Sequence, residues 1–146
     1  MKYVIPFYPM PLLRLLLCPA MVLLGAHPTG WYPIQGTDQT LLRIEEALRE
    51  GDAVRLSAFI APQVEIHLRS TSRVYSNLQA RYVLQEFFQN NPPRTFTLLH
   101  KGRSEDMIYA IGSYVSSQGR WDVSLFTRFQ NGKYLIEQLR FEVVED

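Results

Sequence analysis

Five polar side chains lie within strand patterns that are otherwise largely apolar, and chemistry in this chain would begin with them. His100 alternates in step with Phe96 and Leu98, while Gln138 and Arg140 alternate in step with Tyr134 and Ile136. Tyr114 falls in a third alternating stretch, and Asp122 lies between Trp121 and Val123 in a fourth. An imidazole in an apolar pocket can work as a general base near neutral pH, and a phenol can donate to a developing oxyanion. The same pattern describes a core or rim residue satisfied by a neighbour. For Asp122 the plain role is a cross-strand pairing with Arg120, Arg128 or Arg140.

Other chemistry is thin. His67 and His100 fall on different strands, and with a nearby carboxylate they could hold a metal. His67 beside Glu65 and Arg69 also reads as a surface residue, and His100 as a half-buried one bonded to a neighbour. The sequence has no phosphate loop, dinucleotide fingerprint, Gly-x-Ser-x-Gly elbow or His-Glu-x-x-His helix. No metal and no cofactor is therefore expected. Fifteen Lys and Arg stand against fourteen Asp and Glu, a net charge of +1 that provides no field for nucleic acid.

What positions these residues begins after residue 26. Residues 1–26 carry Lys2 and Arg14, no acid, and an apolar run from Leu12 to Ala26, the pattern of a secretory signal peptide. The run is shorter than the roughly 20 apolar residues of a membrane span. The alternatives are an uncleaved anchor and a lipid on Cys18, which has Leu15 three positions before it but bulky Leu17 adjacent. Export implies a periplasmic or extracellular protein with no transmembrane span in the mature chain. Cleavage after Ala26 leaves 120 residues and no cysteine, so the core alone must hold the fold.

Residues 27–36, with two prolines and Gly30 and Gly36, read as a linker whose Trp31, Tyr32 and Ile34 could dock; the domain is placed at 37–146. Thr37 or Asp38 can cap a helix carrying Leu41, Ile44 and Leu48 that stops at Gly51. Asp52 caps a second helix with Val54, Leu56, Phe59 and Ile60, ending near Pro62. From Gln63, Val64, Ile66 and Leu68 alternate as a strand. Ser76 and Gln79 form a capping box for a third helix, whose stripe is Ala80, Val83, Leu84, Phe87 and Phe88 and whose end is Asn90-Asn91-Pro92-Pro93.

After Pro93 the period is two. Turns at 102–106, at 116–119 and at Asn131-Gly132 separate four strands, which must form an antiparallel meander. Helices first and strands later make this α+β, with three N-terminal helices packed on a curved, mostly antiparallel sheet. A hollow is expected between the third helix and the concave face. On the other face, Phe126 keeps company with Asp122, Ser124 and Arg128, and Tyr109 with Met107 and Ile111. Apolar residues there would be a liability unless covered.

This order resembles the cone-shaped nuclear transport factor 2-like fold, to which ketosteroid isomerase and scytalone dehydratase belong. Residues 47–59, Val74-Tyr75-Ser76, the stretch from Glu86-Phe87-Phe88 to Asn91-Pro92-Pro93, Tyr109-Ala110-Ile111-Gly112 and the run from Gly132 to Arg140 resemble more closely the domain of unknown function 4783 group. The likeness extends over roughly residues 38–142. It implies the fold and export and brings no established activity or catalytic residue.

Two functions follow as expectations. One is a non-enzymatic binding module that uses the cone pocket or the outer sheet face for a small ligand or a protein partner, a second copy included. The other is an isomerase or dehydratase with His100 as base, Tyr114 as electrophilic helper, and Gln138 and Arg140 in the same pocket. The enzyme requires the tips of His100 and Tyr114 to face one enclosed cavity. It fails if His100 meets solvent or if Phe87, Phe88 and Trp121 fill the cone.

Overall fold

The computed structural model describes residues 35–145; the expected signal peptide, Cys18 and most of the linker lie outside the described residues. In chain order the elements are α1 (Gln35–Glu50), α2 (Ala53–Ser57), β1 (Ile60–Leu68), β2 (Thr71–Ser76), α3 (Asn77–Asn90), β3 (Pro93–Ser104), β4 (Met107–Ser116), β5 (Gly119–Gln130) and β6 (Lys133–Val143). The single strand expected between the second and third helices is a hairpin, β1–β2, so only α1 and α2 cluster at the start of the domain and α3 is not one of three N-terminal helices.

Local signals explain most boundaries. The Asp52 side chain accepts from the Arg55 N–H at 2.8 Å and starts α2, and Ser76 with Gln79 forms the complete capping box of α3. Asn131 and Gly132 have φ of 49° and 84°, the two positive values that a type I′ turn demands. Two expectations give way. The first helix already runs at Thr37 and Asp38, so neither of them caps it. The second helix stops at Ser57, leaving Val54 exposed and placing Ile60 in β1. Pro62 lies inside that strand without harm, since the β1–β6 register breaks between Ile60 and Glu65 and no ladder donor is needed there.

The sheet is six-stranded, in the order β2-β1-β6-β5-β4-β3. β3 to β6 form the expected meander, and β1 lies parallel to β6, so the sheet is mixed. It curves around α3. Phe87 is the hub of the interior, with ring centroids 4.5 Å from Phe141, 5.2 Å from Trp121, 5.7 Å from Phe88 and 5.8 Å from Tyr114. Every one of these rings is buried. The hollow expected between α3 and the sheet is thus packed with aromatic side chains. At Gly112 even a methyl group is excluded, because an added Cβ would stand 2.6 Å from the Phe96 ring.

Candidate functional site

Residues directly opposite one another in neighbouring strands share a face, so the register assigns each candidate to a side of the sheet. Tyr114 pairs with Phe96 and Trp121 and belongs to the concave side. It is fully buried, and its hydroxyl donates to the Asn91 main-chain carbonyl at 2.5 Å. Burial pushes the phenol well above its ordinary 10.0. The group is a structural clamp between β4 and the end of α3.

His100 lies on the other face. The pairing shifts between Leu98 and His100, so that Leu98 faces Gly112 whereas His100 faces Ile111. A bulge at Leu99 inserts one residue, and everything beyond it changes side. His100 is exposed rather than half-buried with Phe96 and Leu98. Gln138 and Arg140 also turn outward. The β5–β6 register shifts after Phe126, leaving Tyr134 and Ile136 inside and turning Gln138 and Arg140 toward Phe126 and Ser124. The four candidates therefore do not meet in one cavity, and the arrangement required for an isomerase or dehydratase is not formed.

Outer-face rows can be read across the strands. One runs Val74, Glu65, Gln138, Phe126, Tyr109, Gly102; the next runs Ser72, His67, Arg140, Ser124, Ile111, His100; a third runs Glu142, Asp122, Ser113, Thr97. His67 and His100 lie in the second row four strand spacings apart, about 19 Å, too far to share a metal. Among the described residues no group of three His, Cys, Asp or Glu could hold a metal ion. The imidazole of His67 has its Nδ1 buried without a hydrogen-bond partner. Glu65 accepts from Ser72 Oγ at 2.5 Å and Gln138 Nε2 at 2.7 Å, and these bonds hold its carboxyl below the usual range. Asp122 has no arginine opposite it; it faces Ser113 and Glu142.

Among the described residues, depressions open at the surface of the molecule. One of about 440 Å³ is lined by Arg103, Phe129, Lys133 and Tyr134, another of about 510 Å³ by Phe88, Pro92 and Pro93, and a third of about 270 Å³ by Arg69, Phe87 and Trp121. None of the three includes His100, Tyr114, Gln138 or Arg140. The Arg69 guanidinium stands 5.3 Å from the Trp121 ring centroid at the mouth of the third. On the outer face Tyr109 is 41% and Ile111 38% exposed, with Phe126 half-buried between charged rows. Sequence reasoning found these apolar residues. It missed the acidic pair Asp122–Glu142 and the Glu65–Gln138 link, since both depend on register.

The family model for the domain of unknown function DUF4783 matches residues 41–142. The chain belongs to the DUF4783 family. A DUF4783 protein from Bacteroides uniformis ATCC 8492 superposes with a TM-score of 0.71 at 23% identity, over 72% of this chain and 97% of that one. Another from Bacteroides ovatus ATCC 8483 gives 0.69 at 24%, over 71% and 94%. A Streptomyces avermitilis protein of the NTF2-like family gives 0.55 at 12%, over 77% and 96%. These likenesses establish an NTF2-like α+β fold for the DUF4783 chain. No curated protein matches its sequence. Among the described residues no helix is long and apolar enough to cross a membrane.

Proposed function

We propose that this DUF4783 chain is an exported, non-enzymatic binding module that works through the outer face of its sheet and takes a protein partner there. The observation that carries this reading is the contrast between the two faces. The concave side is filled by Phe87, Phe88, Tyr114, Trp121 and Phe141, while on the other face Tyr109 and Ile111 lie exposed beside a half-buried Phe126. An apolar patch rimmed by polar residues is the usual mark of a protein-docking surface. Export rests on residues 1–26 as read from the sequence.

The test begins with protein recovered from cells that process it. Mass spectrometry is expected to find an N-terminus following Ala26 and no retained small molecule. Light scattering is expected to find the protein associated, and Ile111→Lys to release it. A monomer that captures nothing through this face at high concentration refutes the docking function; an intact residue 1 refutes cleavage after Ala26.

A further inference from the structure

We infer that β2, one of the two edges of the sheet, accepts an acidic extended segment of another protein as an added strand. The docking reading of the outer face is not needed for this, because the contacts are made by main-chain groups at the edge.

The edges of the sheet are β2 and β3, and they differ in protection. β3 begins at Pro93, is broken by the bulge at Leu99, carries Lys101 and Arg103, and has α1 packed against it. Such devices keep an edge from pairing with other chains. β2 has no proline, lysine or bulge, and its six residues are an ordinary strand length. Val74, near its middle, is 66% exposed.

The hydrogen-bond phase shows what this edge presents. The Arg69 N–H donates to the Phe141 carbonyl on β6 at 3.1 Å, so Leu68, Ile66 and Val64 direct their main-chain groups to β2. Their partners there are Thr71, Arg73 and Tyr75. Ser72 and Val74 therefore turn N–H and C=O away from the sheet. None of these groups has a hydrogen bond among the described residues. The next outward donor, the Ser76 N–H, is taken by Gln79 Oε1 at 3.1 Å and ends the open stretch.

Charge selects the occupant. From Ile66 to Gln85 the sequence has three arginines and no acid. Arg73 stands exposed between Ser72 and Val74, without an ion pair among the described residues. Glu65, opposite Val74, lies on the outer side and is tied by Ser72 and Gln138, whereas Arg73 lies on the other side. A second copy of β2 fits poorly here. Antiparallel pairing that engages every open group sets Ser72 against Val74 and Arg73 against its own copy, a repulsive pair. An acid at that position is attracted instead. The fitting segment reads apolar beside Val74 and acidic beside Arg73.

Binding of labelled peptides to the processed protein, followed by fluorescence anisotropy, tests this. The probes are a short peptide of alternating Val and Thr with a central Glu, the same peptide with Lys for Glu, and the Glu peptide with N-methylated Val amides. The Glu peptide is expected to bind at least about tenfold more tightly than the Lys peptide at low salt, and Arg73→Glu to invert that order. Amide exchange at Ser72 and Val74 is expected to slow in the complex. Val74→Pro is expected to abolish binding with little change in melting temperature, since the lost N–H points out of the sheet. If that variant does not fold, the N-methylated peptide decides, and it is expected not to bind. Ile111→Lys, on the outer face, is expected to leave binding unchanged. No binding of the Glu peptide at millimolar concentration, equal binding of the Glu and Lys peptides, binding that survives N-methylation, or loss with Ile111→Lys each overturns the inference. So does a wild-type dimer that Val74→Pro dissolves, because the edge then receives a second copy.

Discussion

The hydroxyl of Tyr114 ends on the main-chain carbonyl of Asn91, the residue that caps α3. Asn91 is itself buried and donates its side-chain amide to the Phe87 carbonyl at 3.0 Å. A strand side chain thereby fixes the end of the helix that fills the concave face. Tyr114→Phe leaves a buried carbonyl unpaired, which costs about 1–3 kcal/mol. Denaturant unfolding should show that loss with an unchanged m-value.

The same phenol sets an alkaline limit. Its folded pKa lies above its unfolded one, so the stabilisation is complete below the unfolded value near 10 and fades as pH rises toward the folded value. Wild type should lose stability on going from pH 9 to 11, measured by denaturant titration. Tyr114→Phe, less stable at neutral pH, should show a shallower decline over that interval.

Phe87 touches the Phe88, Tyr114, Trp121 and Phe141 rings. Truncating a fully packed aromatic to alanine costs about 3–5 kcal/mol. Phe87→Ala should lower the thermal midpoint by more than any other single change named here, and aromatic solutes should restore part of the loss by filling the vacated space.

Gly112→Ala tests how tightly the interior is closed. The added methyl would stand 2.6 Å from Phe96 and 2.9 Å from the Thr97 carbonyl oxygen, and the latter is backbone that cannot swing away. Overpacking of this kind costs about 1–3 kcal/mol. Combining it with Phe96→Leu should recover less than the full amount, because the clash with Thr97 remains.

Glu65 provides the acid limit. Hydrogen bonds from Ser72 and Gln138 keep its folded pKa below 4.5. Its contribution is therefore present above the unfolded pKa and lost as pH falls through the folded one. Between pH 5 and 3 the stability of wild type should drop more steeply than that of Gln138→Leu, as read from thermal midpoints.

The elements that were legible in the sequence are those fixed by local chemistry: the Ser76–Gln79 cap, the stop at Asn90-Asn91-Pro92-Pro93, the turn at Asn131-Gly132 and the meander between them. β2 escaped because Thr71–Ser76 is an almost wholly exposed edge strand with no buried face to pattern it. The candidate site was misread at two bulges. Nothing in the residue types of Leu99 or Glu137 announces an extra residue, yet each moves the side chains beyond it across the sheet, His100 in one case and Gln138 and Arg140 in the other. The parallel pairing of β1 with β6 was equally invisible, since it joins residues far apart in the chain.

That pairing bears on the order in which the molecule can be assembled. Glu65 and Gln138, bonded across β1 and β6, are 73 residues apart. Contacts at such separation form late, because a long loop must close before they contribute. The β1–β2 hairpin therefore waits, one edge unpaired, until the final strand has emerged from the ribosome. A chain cut short before Lys133 would lose one strand and also leave the earlier hairpin without an anchor, open to proteases and to pairing with its neighbours.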